Sequence, residues 1–223
     1  MAKDDAMWAI LTDPSKRDNK WRSEEFFKTG DDFIRGLFGV FIKAGVQVKR
    51  GTAIDFGCGL GRLTRPLVSQ GFSRVVGLDI SAEMVSRARK LLPPDMSHSV
   101  EYLVNTDVLP MAEACADYLQ TYIVLQHIHP DLIFHYFSEF ARILAPGGIL
   151  YFQLPTSLGG SSGTVFFRNP IQTASGVVSM DMCAMATDVV VKELETRGFT
   201  VAQADHSRHP DGMESVMYIA LRN

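Results

Sequence analysis

Apolar positions recur along the chain with two periods, one typical of helices and one typical of strands. Residues 31–43 place six apolar side chains on a helical repeat, which predicts an amphipathic helix. Short apolar runs beyond residue 50 predict five strands, at Thr52–Phe56, Arg74–Asp79, Val100–Val104, Asp117–Tyr122 and Ile149–Leu154. Helical repeats between them predict three helices, at Arg62–Ser69, Ala82–Leu91 and Asp131–Leu144. Strands that alternate with helices pair in parallel through right-handed crossovers, so the pattern predicts an α/β domain.

The last third of the chain has a different pattern. Pro155–Met182 is rich in serine and glycine and has weak periodicity, which predicts an irregular insertion acting as a substrate lid. The remaining predicted elements are a helix and two strands, at Met185–Arg197, Phe199–Ala204 and Ser215–Leu221. We interpret residues 1–223 as one domain, in which residues 1–45 form a helical cap region.

The composition is that of an ordinary globular core, with 46% apolar and 21% charged residues. The net charge of −3 arises from 22 basic and 25 acidic residues spread along the chain, so no basic stripe predicts a nucleic-acid partner. The three cysteines lack metal-ligand spacing, and we expect neither a metal site nor a disulfide framework. The start of the chain lacks a signal-peptide pattern and no apolar run is long enough to cross a membrane, which favours a cytoplasmic protein. Nothing in the composition indicates the oligomeric state.

A glycine-rich turn follows the first predicted strand, in the run Asp55-Phe-Gly-Cys-Gly-Leu-Gly61. Glycines permit a tight turn and a close approach of the backbone to a ligand at the carboxyl edge of a parallel sheet. The dinucleotide fingerprint G-x-G-x-x-G requires its third glycine at position 62, where this chain has Arg62. A carboxylate at Asp55 would crowd a pyrophosphate, but it suits a ligand that presents an ammonium group. The turn therefore favours a ligand without phosphates.

Two further acids follow predicted strands. Asp79 ends the second strand, where one carboxylate can accept two hydrogen bonds from a ribose diol, as it would also do for NAD. Asp107 follows the third strand, where an adenine amino group could donate to it. This third acid shifts the balance away from NAD.

Residues 52–154 resemble the class I, Rossmann-like S-adenosylmethionine-dependent methyltransferases, in particular the small type 11 group. The matching features are the glycine run, Val76-Gly-Leu-Asp79-Ile-Ser, Asp107, the strand Asp117–Tyr122 and Ala141-Arg-Ile-Leu-Ala-Pro-Gly-Gly148. The resemblance implies a doubly wound, seven-stranded, mostly parallel sheet with helices on both faces and an antiparallel last strand.

The cofactor that the resemblance implies is S-adenosyl-L-methionine. Asp79 would bind its ribose and Asp107 its adenine, with Gly57 and Gly59 near its methionine part. The full set of cofactor-binding residues expected on this basis is Asp55, Gly57, Cys58, Gly59, Gly61, Arg62, Asp79, Ile80, Asp107, Val108 and Tyr122. For Arg62, two roles stay open: it reaches the cofactor's carboxylate, or it pairs with Asp55 or Asp79.

Three residues that end or follow the fourth predicted strand are candidates for the chemistry: Tyr122, Gln126 and His127. In this fold the carboxyl end of that strand faces the transferred methyl group. An imidazole at His127 could take a proton from an acceptor hydroxyl near neutral pH, while Gln126 or Tyr122 orients that hydroxyl. A structural histidine is the alternative.

The predicted function is transfer of a methyl group from S-adenosylmethionine to a small-molecule acceptor. The fourth strand lacks the Asn/Asp-Pro-Pro-Tyr/Phe sequence that resembles amino-base methyltransferases. A protein or RNA methyltransferase, an NAD-dependent oxidoreductase and a non-catalytic cofactor-binding module are the alternatives. The basic group Arg87-Ala-Arg89-Lys90 is interpreted as a solvated face, and Trp8, Trp21, Phe26 and Phe27 as core or as cover for the cofactor.

Overall fold

The computed structural model describes residues 5–158, 161–162, 164–173, 176–208 and 213–223. The chain divides into two compact units, Met1–Thr106 and Asp107–Asn223, and each is described by itself. That these units act as the single domain expected from the sequence stays a prediction. Within the described residues, no helix is both long enough and apolar enough to cross a membrane.

The first unit opens with two helices. Helix α1 spans Ala6–Ile10, and the carboxylate of Asp5 caps it by accepting a hydrogen bond from the backbone N–H of Trp8. Helix α2 spans Ser23–Lys43 and begins earlier than the predicted residue 31, because Phe26 is fully buried and extends the apolar stripe toward the N-terminus. The helical cap region expected at residues 1–45 therefore contains two helices in its described part.

Three parallel strands form the sheet of the first unit. They are β1 (Thr52–Phe56), β2 (Arg74–Asp79) and β3 (Val100–Val104), in the order β3-β2-β1, and all three have the predicted bounds. The side chains of β2 are buried from Val75 to Leu78, as expected for a parallel strand that is covered on both faces.

Two helices connect these strands. Helix α4 spans Ala82–Leu91 as predicted, and the hydroxyl of Ser81 caps it by accepting from the backbone N–H of Met84. Helix α3 spans Arg65–Ser69, so the predicted start at Arg62 is wrong. The cause is local, because Pro66 lacks a backbone N–H and fits the first turn of a helix that begins at Arg65, but not the interior of one that begins at Arg62.

The main sheet of the second unit is formed by β4 (Ala116–Thr121), β5 (Leu144–Leu158), β9 (Phe199–Arg208) and β10 (Glu214–Arg222), which are connected in part by the helices α5 (Pro130–Ile143) and α6 (Thr187–Glu195). Strand β4 is followed by helix α5 and strand β5, and β4 and β5 are parallel. Helix α6 precedes β9 and β10. Strand β10 is antiparallel to both β5 and β9. Aromatic stacking supports the core of this unit, with the rings of Phe152 and Tyr218 4.6 Å apart.

The serine- and glycine-rich segment forms strands, so the prediction of an irregular insertion is wrong. Strand β6 (Ser161–Ser162) pairs with β5, and β7 (Val165–Thr173) pairs with β8 (Gly176–Ala184) in an antiparallel ribbon of two strands. Residues 159–160, 163 and 174–175 lie outside the described residues. Backbone hydrogen bonds between the two strands order such a ribbon. Its sequence therefore does not need the regular apolar period of a strand in a central sheet. The lid role stays a prediction.

Apart from β6 to β8, the strand order is β3-β2-β1 in the first unit and β4-β5-β10-β9 in the second. The neighbouring strands run parallel except at β10, the last in sequence, which is antiparallel to both of its neighbours. The predicted fold class, a seven-stranded and mostly parallel sheet with an antiparallel last strand, is confirmed.

Candidate cofactor-binding and active site

The glycine turn after β1 has a backbone that few side chains tolerate. Gly57, Gly59 and Gly61 have φ values of 75°, 53° and 82°, in the left-handed region that favours glycine. The backbone N–H groups of Gly57 and Cys58 both donate to the carbonyl oxygen of Leu78, at 2.7 and 2.9 Å. These bonds attach the turn to the end of β2, next to Asp79.

Asp79 joins the glycine turn to the start of α4. Its Oδ2 atom accepts a hydrogen bond from the backbone N–H of Gly59, and its Oδ1 atom accepts one from the backbone N–H of Ser81, each at 2.8 Å. Burial raises the pKa of Asp79, while the two backbone donors oppose this rise. Each carboxylate oxygen has two lone pairs, so both keep capacity to accept from a ligand. Ile80, the next residue, is 72% exposed.

The other candidates of the turn are buried and contact nearby helices. The Asp55 carboxylate is 2% exposed and accepts a hydrogen bond from Thr64 Oγ1 at 2.6 Å. Arg62 is 6% exposed, and its guanidinium donates to the Thr29 hydroxyl of α2 at 3.4 Å. Burial is the main cause that raises the pKa of the Cys58 thiol, which therefore stays protonated at neutral pH.

The position of Tyr102 in β3 explains why residue 61 is a glycine. A Cβ atom added at Gly61 would overlap its hydroxyl, and one added at Gly77 would lie 2.6 Å from its ring. The ring is 2% exposed. Gly61 is thus required by packing as well as by backbone conformation, whatever ligand the turn holds.

In the second unit, Asp107 begins a loop that α5 holds in place. The carbonyl oxygen of Asp107 accepts a hydrogen bond from His135 Nε2 at 2.7 Å, and the backbone N–H of Leu109 donates to Glu139 Oε2 at 2.8 Å. The Arg142 guanidinium donates to the carbonyl oxygens of Leu109 and Met111 and pairs with Glu139. The Asp107 side chain is exposed and Val108 is 62% exposed.

These α5 residues were not predicted from the sequence. The signal that could have found Glu139 and Arg142 is their ion-pair spacing, i and i+3, within the amphipathic helix α5. The spacing alone does not say that both side chains turn toward the preceding loop.

The loop after β4 starts with a strained backbone. Tyr122 is partly exposed, and Ile123, which follows it, has a φ of 60°, a conformation that β-branched residues rarely adopt. The chain then forms a single 3₁₀ turn, Leu125–His127. Strain of this kind persists only where surrounding contacts fix the backbone, and the 3₁₀ turn that follows Ile123 packs against β8 and β5.

His127 contacts β8 through one ring nitrogen and Gln126 through the other. Nδ1 lies 2.9 Å from the carbonyl oxygen of Asp181, and because a carbonyl only accepts, Nδ1 carries the proton. In the neutral ring Nε2 then holds the lone pair, and it accepts from Gln126 Nε2 at 3.1 Å. Burial lowers the pKa of His127, which favours this neutral form.

The structure thus brings together the glycine turn and Asp79 in the first unit, and Gln126 and His127 in the second. The contact of β8 with His127 could not be predicted from the sequence, because Asp181 contributes a backbone carbonyl, which every residue type has. Among the described residues, no group of three or more His, Cys, Asp or Glu is placed to hold a metal ion.

Comparisons with known proteins find similar sequences and similar folds. Residues 54–152 match a family described as a methyltransferase domain. The trans-aconitate 2-methyltransferase of Azoarcus sp. (strain BH72) is 30% identical over 154 residues, which are 67% of this chain and 56% of the relative. The chain covers 56%, 30% and 51% of three curated relatives that it matches.

Solved structures share the fold at low sequence identity. A protein from Pyrococcus horikoshii OT3 has a TM-score of 0.68 and 21% identity, and the match covers 91% of this chain and 93% of that one. The glycopeptide N-methyltransferase MtfA, solved with S-adenosyl-L-methionine, has a TM-score of 0.62 and 17% identity, covering 83% and 86%. The resemblance derived from the sequence is confirmed: residues 54–152 match the methyltransferase-domain family, the matched relative is named as a methyltransferase, and the solved structures share the fold.

Proposed function

We propose that the protein binds S-adenosyl-L-methionine and transfers its methyl group to a small-molecule acceptor. The observation that carries this proposal is a pattern that occurs twice, an aspartate followed directly by an exposed aliphatic residue. Asp79 and Asp107 are each followed by an exposed aliphatic side chain, Ile80 at 72% and Val108 at 62%. A nucleoside needs both parts of such a pair, because its ring packs on aliphatic carbon while its hydroxyl and amino groups donate to carboxylates.

The residues proposed to hold the cofactor follow from this pairing. Asp79 would accept from the ribose hydroxyls and Asp107 from the adenine amino group, with Ile80 and Val108 against the ring. The methionine part would lie along the backbone of the glycine turn, at Gly57, Cys58, Gly59 and Gly61, with Asp55, Arg62 and Tyr122 completing the set. The buried carboxylate of Asp55 and the half-buried one of Asp79 suit a ligand that carries an ammonium group and no phosphates.

The cofactor, when bound, supplies an electrophilic methyl group, so the protein's task is mainly to position the acceptor and exclude water. His127 is suited to remove a proton from an acceptor hydroxyl. The carbonyl of Asp181 fixes its Nδ1–H tautomer, and burial keeps the ring neutral near pH 7. Its Nε2 lone pair becomes available when the amide of Gln126 turns toward the acceptor, which Gln126 and Tyr122 would orient.

The small-molecule class is supported by charge and by the names of relatives. The chain has a net charge of −3 and no basic stripe for a nucleic acid. Two relatives are named trans-aconitate 2-methyltransferase and 2-methyl-6-phytyl-1,4-hydroquinone methyltransferase.

Calorimetry on the full chain tests the cofactor. S-adenosylhomocysteine and S-adenosylmethionine should bind and NAD should not. Ile80→Ser and Val108→Ser should each weaken S-adenosylhomocysteine roughly fivefold, since removing an aliphatic contact costs ~1 kcal/mol. Ile42→Ser is the matched control, because Ile42 is 74% exposed on α2. Binding of NAD without S-adenosylmethionine would refute the proposal.

Transfer of a labelled methyl group tests the acceptor class. The protein, labelled S-adenosylmethionine and a panel of small organic acids and phenols that includes trans-aconitate should give label in the small-molecule fraction. Label that appears only on added protein or RNA would contradict the small-molecule acceptor. Cofactor binding without any transfer would instead support the non-catalytic module.

A further inference from the structure

A cavity of about 360 Å³ lies in the first unit between the N-terminal segment and the second half of α4. Its volume is within the range of small-molecule sites, roughly 300 to 1,000 Å³. Leu60 of the glycine turn lines it, but none of the residues proposed above for the cofactor does. The cavity is therefore a separate space beside the glycine turn.

One side of the cavity is apolar and rigid. Trp21, Met7, Leu60 and Leu91 contribute to this side. The indole N–H of Trp21 donates to the carbonyl oxygen of Leu11 at 3.2 Å, and its ring meets Phe26 edge to face at 5.9 Å between centroids. Both contacts fix the ring plane. Leu60 is 1% exposed, and the close packing around its side chain fixes this part of the cavity wall.

The other side carries two cations on one face of α4. Arg87 and Lys90 are three residues apart, a spacing that puts their side chains next to each other. Glu83 accepts from Arg87 Nε at 2.7 Å and so orients the guanidinium. Lys90 has no ion-pair partner within the part of the chain that the structure describes.

Among the described residues of the lining, Asp5 is the one acid, and each of its carboxylate oxygens accepts a hydrogen bond from the backbone. Oδ1 accepts from the backbone N–H of Trp8 at 3.2 Å, and Oδ2 accepts from that of Asn19 at 2.7 Å. No ion pair joins Asp5 to Lys90 within the described part of the chain. The described lining therefore carries two cations, Arg87 and Lys90, and one acid, and Lys90 is the cation that no described acid pairs.

We propose that this cavity binds a small organic anion with a flat, apolar body. The body would pack on Trp21 and Leu60, and its carboxylate would accept hydrogen bonds from Lys90 and Arg87. Two of the basic residues interpreted from the sequence as a solvated face thereby acquire a binding role. The inference does not depend on the proposed methyl transfer, because it uses no cofactor residue and its test needs no cofactor.

The test uses phenylacetate as the probe and 2-phenylethanol as its uncharged counterpart. Trp8 and Trp21 are the two tryptophans of the chain, so Trp8→Phe leaves Trp21 as the sole indole reporter. Phenylacetate should change Trp21 fluorescence saturably, and 2-phenylethanol should bind at least about tenfold more weakly, the scale of one charge-assisted hydrogen bond. Calorimetry on the unsubstituted protein gives the same comparison if Trp8→Phe lowers stability.

Substitutions then test whether Lys90 and Arg87 bind the carboxylate of the probe. Lys90→Gln and Arg87→Gln should each weaken phenylacetate about tenfold, whereas Lys49→Gln, on an exposed loop outside the cavity, should not. Absence of a saturable response, equal affinity for the anion and the alcohol, or equal effects of the Lys90 and Lys49 substitutions would each overturn the proposal. Circular dichroism and urea midpoints check that the variants are folded.

Discussion

The Nδ1 atom of His127 lies 2.9 Å from the carbonyl oxygen of Asp181, a residue 54 positions later in the chain. This bond attaches the loop after β4 to strand β8. Two weaker contacts extend the attachment, from the Cys183 thiol to the carbonyl oxygen of Leu125 and from the Gln126 amide to the sulfur of Met182. In the second unit, the candidate catalytic loop and the ribbon of β7 and β8 are therefore physically connected.

The first prediction separates the chemical role of His127 from its structural role. Asparagine keeps an N–H donor near Asp181 but has no basic nitrogen, whereas alanine has neither. Both His127→Asn and His127→Ala should lower turnover by roughly 100-fold with little change in cofactor affinity, because general base catalysis contributes on that scale. His127→Ala alone should also speed proteolysis within residues 155–182. Normal turnover in His127→Asn would mean that positioning of the acceptor suffices.

The second prediction concerns the pH dependence of stability. The pKa of His127 is lowered below its ordinary 6.5 in the folded protein, chiefly by burial, so the unfolded chain binds a proton more readily. Its contribution to stability is complete above pH 6.5 and is lost as the pH falls from there toward the lowered value. Urea unfolding should show a steeper loss below pH 6.5 for the unsubstituted protein than for His127→Asn, by up to ~1.4 kcal/mol per pH unit. Parallel curves for the two proteins would contradict this.

The third prediction separates backbone strain from a steric clash at two glycines. Gly61 and Gly71 have φ values of 82° and 89°, but only at Gly61 would an added Cβ atom meet Tyr102. Gly71→Ala should cost about 1 to 2 kcal/mol of unfolding free energy from strain alone. Gly61→Ala should cost about 1 to 3 kcal/mol more, because the buried ring must move. Urea denaturation measures both, and equal losses would show that the Tyr102 ring yields freely.

The fourth prediction concerns Asp79 as the ribose acceptor. Asp79→Asn should weaken S-adenosylhomocysteine by about 1.5 to 3 kcal/mol, the range of hydrogen bonds to a charged group. Asp95→Asn, an exposed acid of the same unit, is the matched control. The pKa of Asp79 is raised by burial, so affinity should fall as the pH drops through that raised value and the carboxylate is neutralised. Calorimetry that finds the Asp79 and Asp95 variants equal would assign Asp79 to structure alone.

Local signals were sufficient where both ends of an element are marked in the nearby sequence. The bounds of β1, β2, β3 and α4 could be predicted because each run of apolar positions ends at a glycine, proline or capping residue, such as Ser81 before α4. The start of α3 at Arg65 also has a local signal, because Pro66 is compatible with the first turn of a helix and not with its interior.

The sequence by itself therefore determined the order of the strands and helices between residues 52 and 154, the glycine turn with Asp79 after β2, and the resemblance to the family. Tertiary structure alone decided the pairing of β7 with β8 and the tautomer of His127. It also decided the hydrogen bond that joins Glu139 of α5 to the loop after Asp107. The physical reason is separation along the chain. A cap or a turn is fixed by residues three or four apart, whereas the bond from His127 to Asp181 joins residues 54 apart through a backbone oxygen that every residue type supplies.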